Sequence, residues 1–423
     1  MRVRGEARVL RSSGGVALLK PLNRSAFRRL WGAAALSMLA DQAFLVSLTW
    51  LVLEITGAGS GLGVVLAVAS VPGLLLMPLG GVASDRLSAA GVAAAASFGR
   101  TLLLACMAAL VFADATQVWH VYVLAGCLSA MDALYYPASM ALVPRLAKPE
   151  DLEAANGLTQ GAEQISSILG PALAGSLVAT LGLGASFAVK ALLFSVSTVI
   201  FLTLIRAHAS PLSTSTAAAE DAQDGGTLAS LVEGMRYAWG DPVIRAIMLI
   251  LVGINLAMVG PLYVGGAILA ETRLGGAGAF GTLVAGAGVG ALLGALGAGS
   301  LGRIRRRGLI ELPLTAALGV FLGAFAFAPN LLVADSLAVA VVAAASFLAV
   351  VNISWLQERS EPHVTGRVMS LAMLSTMALD PISYLAAGAF VGLNLTAVFL
   401  AAGALLILTA LLGATSRTMR TAD

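Results

Sequence analysis

Charge is scarce in this chain: only 11% of its 423 residues are charged, 25 Lys and Arg against 22 Asp and Glu. Soluble globular chains carry about 25%, so the chain as a whole is not built to face water. The basic residues are dispersed and leave a net charge of only +3, which gives no footprint for nucleic acid. Lysine occurs only at Lys20, Lys148 and Lys190, never after a glycine. No G-x-x-x-x-G-K phosphate loop can therefore form, which disfavours an ATP-driven pump. The three histidines, His120, His208 and His363, lie far apart, with no H-E-x-x-H or other catalytic cluster around them. The chain is read as no enzyme, with no metal and no cofactor. The two cysteines, Cys106 and Cys127, fall inside apolar runs and read as buried free thiols rather than a disulfide or metal site. The opening MRVRGEARVLRSSGG is basic but lacks the short apolar core and cleavage site of a secretory leader. The first span is expected to act as its own insertion signal.

What is abundant is apolar residue: 59% of the chain, with a mean hydropathy of +0.92. Crossing a bilayer takes about 20 apolar residues per helix, so twelve spans need about 240. Runs of that length lie at about 30–53, 60–83, 91–113, 118–143, 158–181 and 184–206, then at 243–269, 277–300, 309–328, 332–356, 367–391 and 393–413. Between the two sets, ASPLSTSTAAAEDAQDGG is too small, polar and acidic to bury a core and reads as a linker. LASLVEGMRYAWGDP after it has helical apolar spacing and predicts an interfacial helix. The expected architecture is an all-α membrane protein of twelve transmembrane helices in two six-helix, pseudo-symmetric bundles. Its parts are a basic tail (1–29), a first bundle (30–206), a linker with its interfacial helix (207–242), a second bundle (243–413) and a short tail (414–423).

Lysine and arginine set the expected orientation. Eight of the 25 basic residues precede position 30, and others sit at Arg86, Arg145, Lys148, Arg206, Arg236, Arg245, Arg359, Arg367, Arg417, Arg420 and in RIRRR at 303–307. The alternate loops TGAGS, ADATQ, LGLGA, APNLL and VGLNL carry none, and only Arg273 breaks the pattern. Both termini and the linker are therefore expected on the cytoplasmic side of the cell's inner membrane. An internal repeat supports two halves: a shift of 210 residues sets EAANGL and Gly170-Pro171 against HVTGRVMSL and Asp380-Pro381.

Several stretches together resemble the major facilitator superfamily, in particular its macrolide-efflux and enterobactin-exporter branch. They are LADQAFLVSLTWLVLEITGAGSGLG, GGVASDR, YYPASMALVPRLAKPEDLEAANGL, ILGPALAG and WLQERSEPHVTGRVMSL. GGVASDR matches the superfamily's G-x-x-x-D-R loop at Gly81, Asp85 and Arg86, but continues LSAAG where a glycine and further basic residues are usual. The resemblance implies a cytoplasmic gate there. Gly157, Gly170, Pro171 and Gly175 fit the antiporter motif of span five, with Ser166 and Ala174 in place of glycines.

The resemblance also implies that spans one, four, seven and ten line a central cavity. Acids inside a membrane are protonated, paired or in contact with a watery cavity. Asp41 in span one and Asp132 in span four are thus candidate proton carriers, with Asp380 in span eleven a third. Glu163 lies about one turn from the end of its span and reads as reaching water. Arg100, two to three turns into span three, is expected either to pair with an intramembrane carboxylate or to snorkel to the surface. Lys190 reads as a snorkelling interface residue. Gln42, Trp50, Ser129, Tyr136, Asn255, Tyr263, Asn352 and Trp355 would form a mixed aromatic and amide pocket for a flat or amphipathic molecule. Gly286, Gly290 and Gly294 form a flat stripe on span eight, expected to meet the Gly170-Pro171 and Gly175 surface as a sliding seam between halves.

The leading functional expectation is a monomeric secondary transporter. It would export small hydrophobic or amphipathic molecules of drug, macrolide or siderophore class, coupled to proton entry, with the lipid bilayer, the substrate and protons as its partners. The rivals are an uptake transporter or facilitator, and a non-transporting scaffold or sensor of the same fold.

Overall fold

The computed structural model describes residues 19–207, 235–301, 307–361 and 364–415. Among these residues the chain is helical throughout, with no strand. Helix α1 spans Ser25–Thr56, α2 Gly59–Arg86, α3 Ala89–Phe112 and α4 Val118–Leu146. Helix α5 spans Leu152–Ala207. Helices α6 (Pro242–Gly260), α7 (Ala277–Ser300), α8 (Gly308–Ala324) and α9 (Leu331–Arg359) follow, then α10 (Thr365–Met377), α11 (Asp380–Val391) and α12 (Leu395–Thr415).

Eleven helical stretches among the described residues are long and apolar enough to cross a membrane. One of them, Pro149–Arg206, has 58 residues. At 1.5 Å per residue that is about 87 Å, far more than the roughly 30 Å of a hydrocarbon core. It is two spans. The break is at Gly182, whose φ of 83° and ψ of 173° lie outside the helical region and are open at little cost only to glycine. Twelve spans result, as the apolar runs predicted.

The starts and stops have local causes. Ser88 caps α3 by accepting the Gly91 N–H at 3.3 Å, and Asn330 caps α9 by accepting the Val333 N–H at 3.0 Å. Asp241 caps α6 through the N–H groups of Val243 (2.8 Å) and Ile244 (3.1 Å). Span seven continues past α6 through two π-helical turns, Pro261–Gly265 and Ala270–Leu274, and stops at Gly275 and Gly276, both with positive φ. Span eleven, expected as one helix, is two: Pro381 lacks an N–H for the i−4 carbonyl, and the chain turns at Ala378 and Leu379 before α11.

The chain forms two compact units. The first contains residues 1–48 and 71–214, the second 49–70 and 215–423. The first half's segment 49–70, across the α1–α2 turn, thus belongs to the second unit, a division that differs from a cut at the linker. Within the second unit, Gly63 lies against Gly388 and the Tyr384 carbonyl of α11 so closely that a Cβ would collide.

Inside each unit the same approaches recur at the 210-residue shift. Gly80 of α2 rests on the Ala133 carbonyl of α4, while Gly290 and Gly294 of α7 rest on the Val339 and Ala343 carbonyls of α9. Glycine at these points lets backbones touch, which is how membrane helices gain packing energy without a hydrophobic drive. This corrects the expected seam between halves. The span-eight stripe is covered by α9 of its own unit, and Gly170 is pressed against Leu39, Gln42 and Ala43 of α1 in the other. Pro171 and Gly175 are buried and Gly157 is exposed.

Hydroxyl pairs tie α1 to the second arm of α5: Ser37 to Ser197 at 2.9 Å and Ser47 to Ser186 at 2.8 Å. Both cysteines are free but exposed, not buried as expected, because each faces outward from its helix.

Candidate functional site

The polar centre of the first unit is built on α1, α3 and α4. Arg100, near the middle of α3, is fully buried at 0% exposure. Its Nη1 donates to both carboxylate oxygens of Asp41 at 3.1 Å and to Oδ1 of Asp132 at 3.1 Å. The guanidinium carbon lies over two aromatic rings, 3.8 Å from the Tyr135 centroid and 4.4 Å from that of Phe194. Its Nε and Nη2 have no hydrogen-bond partner, and the two ring faces stabilise its charge by cation–π attraction. Of the two readings of Arg100, the geometry has intramembrane pairing rather than snorkelling.

The charge count is the feature that matters. One cation serves two carboxyl groups, so with both acids ionised the cluster carries one net negative charge. The acids are also the accessible members: the Asp41 side chain is 14% exposed and that of Asp132 is 30% exposed, against 0% for Arg100. Burying an unbalanced charge is costly, so the cluster favours taking up one further positive charge.

Toward the end of α4 from this cluster lies a cavity of about 150 Å³, lined among others by Trp31, Met38, Tyr135, Tyr136 and Glu163. Tyr136 and Glu163, predicted separately, thus share one wall. Ser129, predicted for the pocket, instead accepts the Gly73 N–H at 2.9 Å and clamps α2 to α4. Gln42 packs its Cβ on Gly170. Lys190, expected to snorkel, is 1% exposed; its Nζ has no hydrogen-bond partner and lies 4.8 Å from the Phe187 ring centroid. Its helix turns it inward, between Ser186 and Phe194 one turn to either side, on the face that meets α1 and α3.

In the second unit the predicted residues do not converge. Asn255 bonds the Leu251 carbonyl of its own helix at 3.0 Å. Tyr263 and Tyr384 pair with ring centroids 6.4 Å apart. Asp380 opens α11 and has one buried oxygen, Oδ1, without a partner. Trp50 lies beside Gly276. Asn352 and Trp355 are 0% and 2% exposed, which corrects their assignment to a cavity wall: both point into the packing of the second unit.

Asn352 donates to Oε1 of Glu311 at 2.9 Å. Glu311, itself 0% exposed, was missed in the sequence, as was Asp335 in α9. Glu311 is two residues inside the predicted start of span nine and follows RIRRR, so it looked like part of a charged helix end. A larger groove of about 660 Å³ between α6, α11 and α12 is lined almost wholly by apolar side chains such as Leu256, Ile382 and Phe390, and contains no ionisable group.

The gate expected at Gly81, Asp85 and Arg86 falls on the last two turns of α2. Arg86 is exposed, and a Cβ on Gly81 would meet open space. The Asp85 side chain lies outside the described residues, as do most of the linker and of both tails.

The sequence profile of the Major Facilitator Superfamily matches residues 30–379. "Multidrug efflux pump Tap" of Mycolicibacterium fortuitum is 27% identical over 354 residues, covering 81% of this chain and 84% of that protein. The "Uncharacterized MFS-type transporter y4rN" of Sinorhizobium fredii is 27% identical over 391 residues, covering 90% and 92%. Among solved structures, the nucleoside transporter NupG has a TM-score of 0.70 at 14% identity, covering 92% of this chain and 98% of that one. A bacterial homologue of the iron transporter ferroportin, in its inward-facing state, has a TM-score of 0.68 at 18% identity, covering 92% and 99%. These two likenesses concern the fold alone. With twelve spans, two repeated bundles, buried intramembrane charges and a profile match over most of its length, this chain belongs to the Major Facilitator Superfamily and is a membrane-embedded transporter of small molecules rather than an enzyme.

Proposed function

We propose that the protein exports small hydrophobic or amphipathic molecules by alternating access, with proton entry through Asp41 and Asp132 as the driving step. The observation that carries this reading is one buried arginine shared by two partly accessible carboxyl groups. Such a cluster is neutral with one proton and negative without it. A proton and the positive end of an amphipathic substrate can each supply the missing charge, so each excludes the other. Proton release to one side and uptake from the other then exchange one against the other.

Arg100 holds the two acids in place and keeps them from ionising independently. Tyr136 and Glu163, on the adjoining cavity wall, are the polar and aromatic groups nearest to hand for an organic molecule. Asp380 is the reserve candidate in the second unit. The relatives named as multidrug efflux pumps support export of this substrate class. The basic-loop alternation supports cytoplasmic termini in an inner-membrane protein, and we propose that it works as a monomer.

The test is flux of a fluorescent amphipathic cation, ethidium, in everted vesicles and proteoliposomes with and without an imposed pH gradient. Export predicts gradient-driven accumulation by the wild type. Asn imitates the protonated acid permanently, so Asp41→Asn or Asp132→Asn is expected to abolish uphill ethidium accumulation, while downhill exchange of a neutral substrate, which needs no charge on the cluster, survives. Full accumulation by both single variants and the double variant would exclude these acids and move the coupling to Asp380 or Glu163. Wild-type accumulation in the opposite orientation would establish uptake instead.

A further inference from the structure

The second unit has a buried acid that the proposed coupling cluster does not use. Glu311 lies on the first turn of α8 and is 0% exposed, and Asn352, opposite it on α9, is also 0% exposed. They share one hydrogen bond, from Asn352 Nδ2 to Glu311 Oε1 at 2.9 Å. The other two side-chain oxygens of the pair, Glu311 Oε2 and Asn352 Oδ1, are both buried without a partner. Two acceptors are left over, and no donor among the described residues reaches either.

An ionised carboxylate only accepts hydrogen bonds, as does an amide oxygen, so an ionised Glu311 leaves both atoms unsatisfied. A single proton on Oε2 resolves both, because the acid O–H then donates to the amide oxygen while the amide N–H donates to the acid carbonyl. We propose that Glu311 and Asn352 form a proton-binding site in the second unit, an acid–amide ring in which Glu311 carries the proton on Oε2.

The surroundings agree. Helices α9 and α12 pack against α8, and the sequence of α12, Leu395–Thr415, contains no ionisable residue. On α9, Glu358 is engaged by Arg307 at 2.7 Å and Arg359 by Asp241 at 2.8 Å. Asp335 is toward the opposite end of α9 from Asn352, about five turns away. Arg307, at the start of α8, is the nearest cation along the chain; its Nη2 is bonded to Glu358, and its buried Nη1 makes no hydrogen bond to Glu311 or to any other group among the described residues. No cation among the described residues bonds to Glu311, in contrast to Asp41 and Asp132. An unpaired buried charge is costly, whereas the proton removes both the charge and the two orphaned acceptors. The site does not depend on Asp41 and Asp132 being the coupling acids.

Infrared spectroscopy of the purified protein in lipid at neutral pH tests it, because a protonated carboxyl has a carbonyl-stretch band that a carboxylate lacks. Protein labelled with ¹³C-glutamate is expected to show an isotope-shifted carboxylic-acid band, which marks a protonated glutamate and not an aspartate. Glu311→Gln, which keeps the ring geometry as an amide pair, is expected to remove that band. Asn352→Leu is expected to keep the band but raise its frequency, as the acid loses its hydrogen-bond partner. The Asp41→Asn/Asp132→Asn double variant is expected to retain it, so failure of the coupling cluster and failure of this site give different results. Absence of any protonated-glutamate band in the labelled wild type would overturn the proposal without a variant. So would persistence of the band in Glu311→Gln.

Discussion

The two units bury acids in opposite ways. In the first, Asp41 and Asp132 are held by a cation, Arg100, that is itself fully enclosed while the acids keep partial access. In the second, Glu311 is held by a neutral amide, with no cation bonded to it among the described residues. A cation fixes the position of two acids while leaving an odd charge to be balanced from outside. An amide can donate to an acid in either state, but here its own oxygen and the second carboxyl oxygen are satisfied together only when the acid is neutral. The first arrangement suits exchange of charge and the second suits retention of a proton. Repeated architecture has therefore not meant repeated chemistry: helices α3 and α8 occupy corresponding places in the 210-residue repeat, yet one carries the arginine and the other the glutamate.

Removing the cation is the sharpest way to break that contrast. Arg100→Ala leaves two carboxyl groups facing one another with no positive charge. Breaking a buried ion pair by deleting one partner costs about 3–5 kcal/mol, and the gap left beside Tyr135 and Phe194 adds to it. The expected result is a large loss of thermal stability in detergent and no measurable transport. Arg100→Lys keeps the charge but loses the flat group against the rings, so it is expected to recover stability in part and transport poorly. Wild-type melting of Arg100→Ala would mean that the two acids are neutral in the resting protein and the arginine is not balancing them.

A variant in the second unit that leaves charge untouched separates packing from electrostatics. A Cβ on Gly290 would lie 2.5 Å from the Val339 carbonyl oxygen and 3.1 Å from the Ala343 nitrogen, both backbone atoms. Gly290→Val must push α7 off α9, and overpacking of this kind costs about 1–3 kcal/mol. Thermal stability is expected to fall by less than in Arg100→Ala, with any surviving transport keeping the pH dependence of the wild type. A changed pH dependence would tie the α7–α9 contact to proton handling and weaken the division drawn above.

Much of this was legible in the residues, because hydropathy and basic loops report on the bilayer rather than on neighbouring helices. Span eight was predicted at 277–300 and found at Ala277–Ser300, and most other ends agree within a few residues. Asp41, Asp132 and Arg100 could be singled out for the same reason, since charge inside an apolar run is conspicuous. What could not be read was which way a side chain faces. With so little polar contrast along these helices, there is no amphipathic stripe to tell the inside of a bundle from the lipid. Asn352 and Trp355 were thus assigned to a cavity they do not line, Cys106 and Cys127 to an interior they do not occupy, and Lys190 to a surface it does not reach. Glu311 was overlooked because five residues of RIRRR beside it made the helix end look solvated. The glycine stripes were recognisable as contact surfaces, but their partners depend on the three-dimensional order of the helices.

The smallest expected effect sharpens the comparison from outside the membrane, where a fourth acid is neither enclosed nor neutral. Asp241, just before α6, accepts from Arg359 Nε at 2.8 Å and caps the helix through Val243 and Ile244. Partial burial pushes its carboxyl up, but the Arg359 hydrogen bond and the two backbone N–H groups outweigh that and hold it below the ordinary carboxylate range. A depressed value means that the stabilisation is present above the unfolded value of about 3.9 and is lost as pH falls through the lower, folded one. Asp241→Asn keeps a good cap and removes the ion pair, whose members are 39% and 23% exposed. At that exposure the pair is worth about 0.2–1 kcal/mol. The variant is therefore expected to melt slightly below the wild type at neutral pH, in thermal unfolding followed across a pH series. The difference should shrink as the wild-type acid takes up its proton below about pH 4. A gap that stays constant down to the acid limit would show that Asp241 acts through its cap geometry and not its charge.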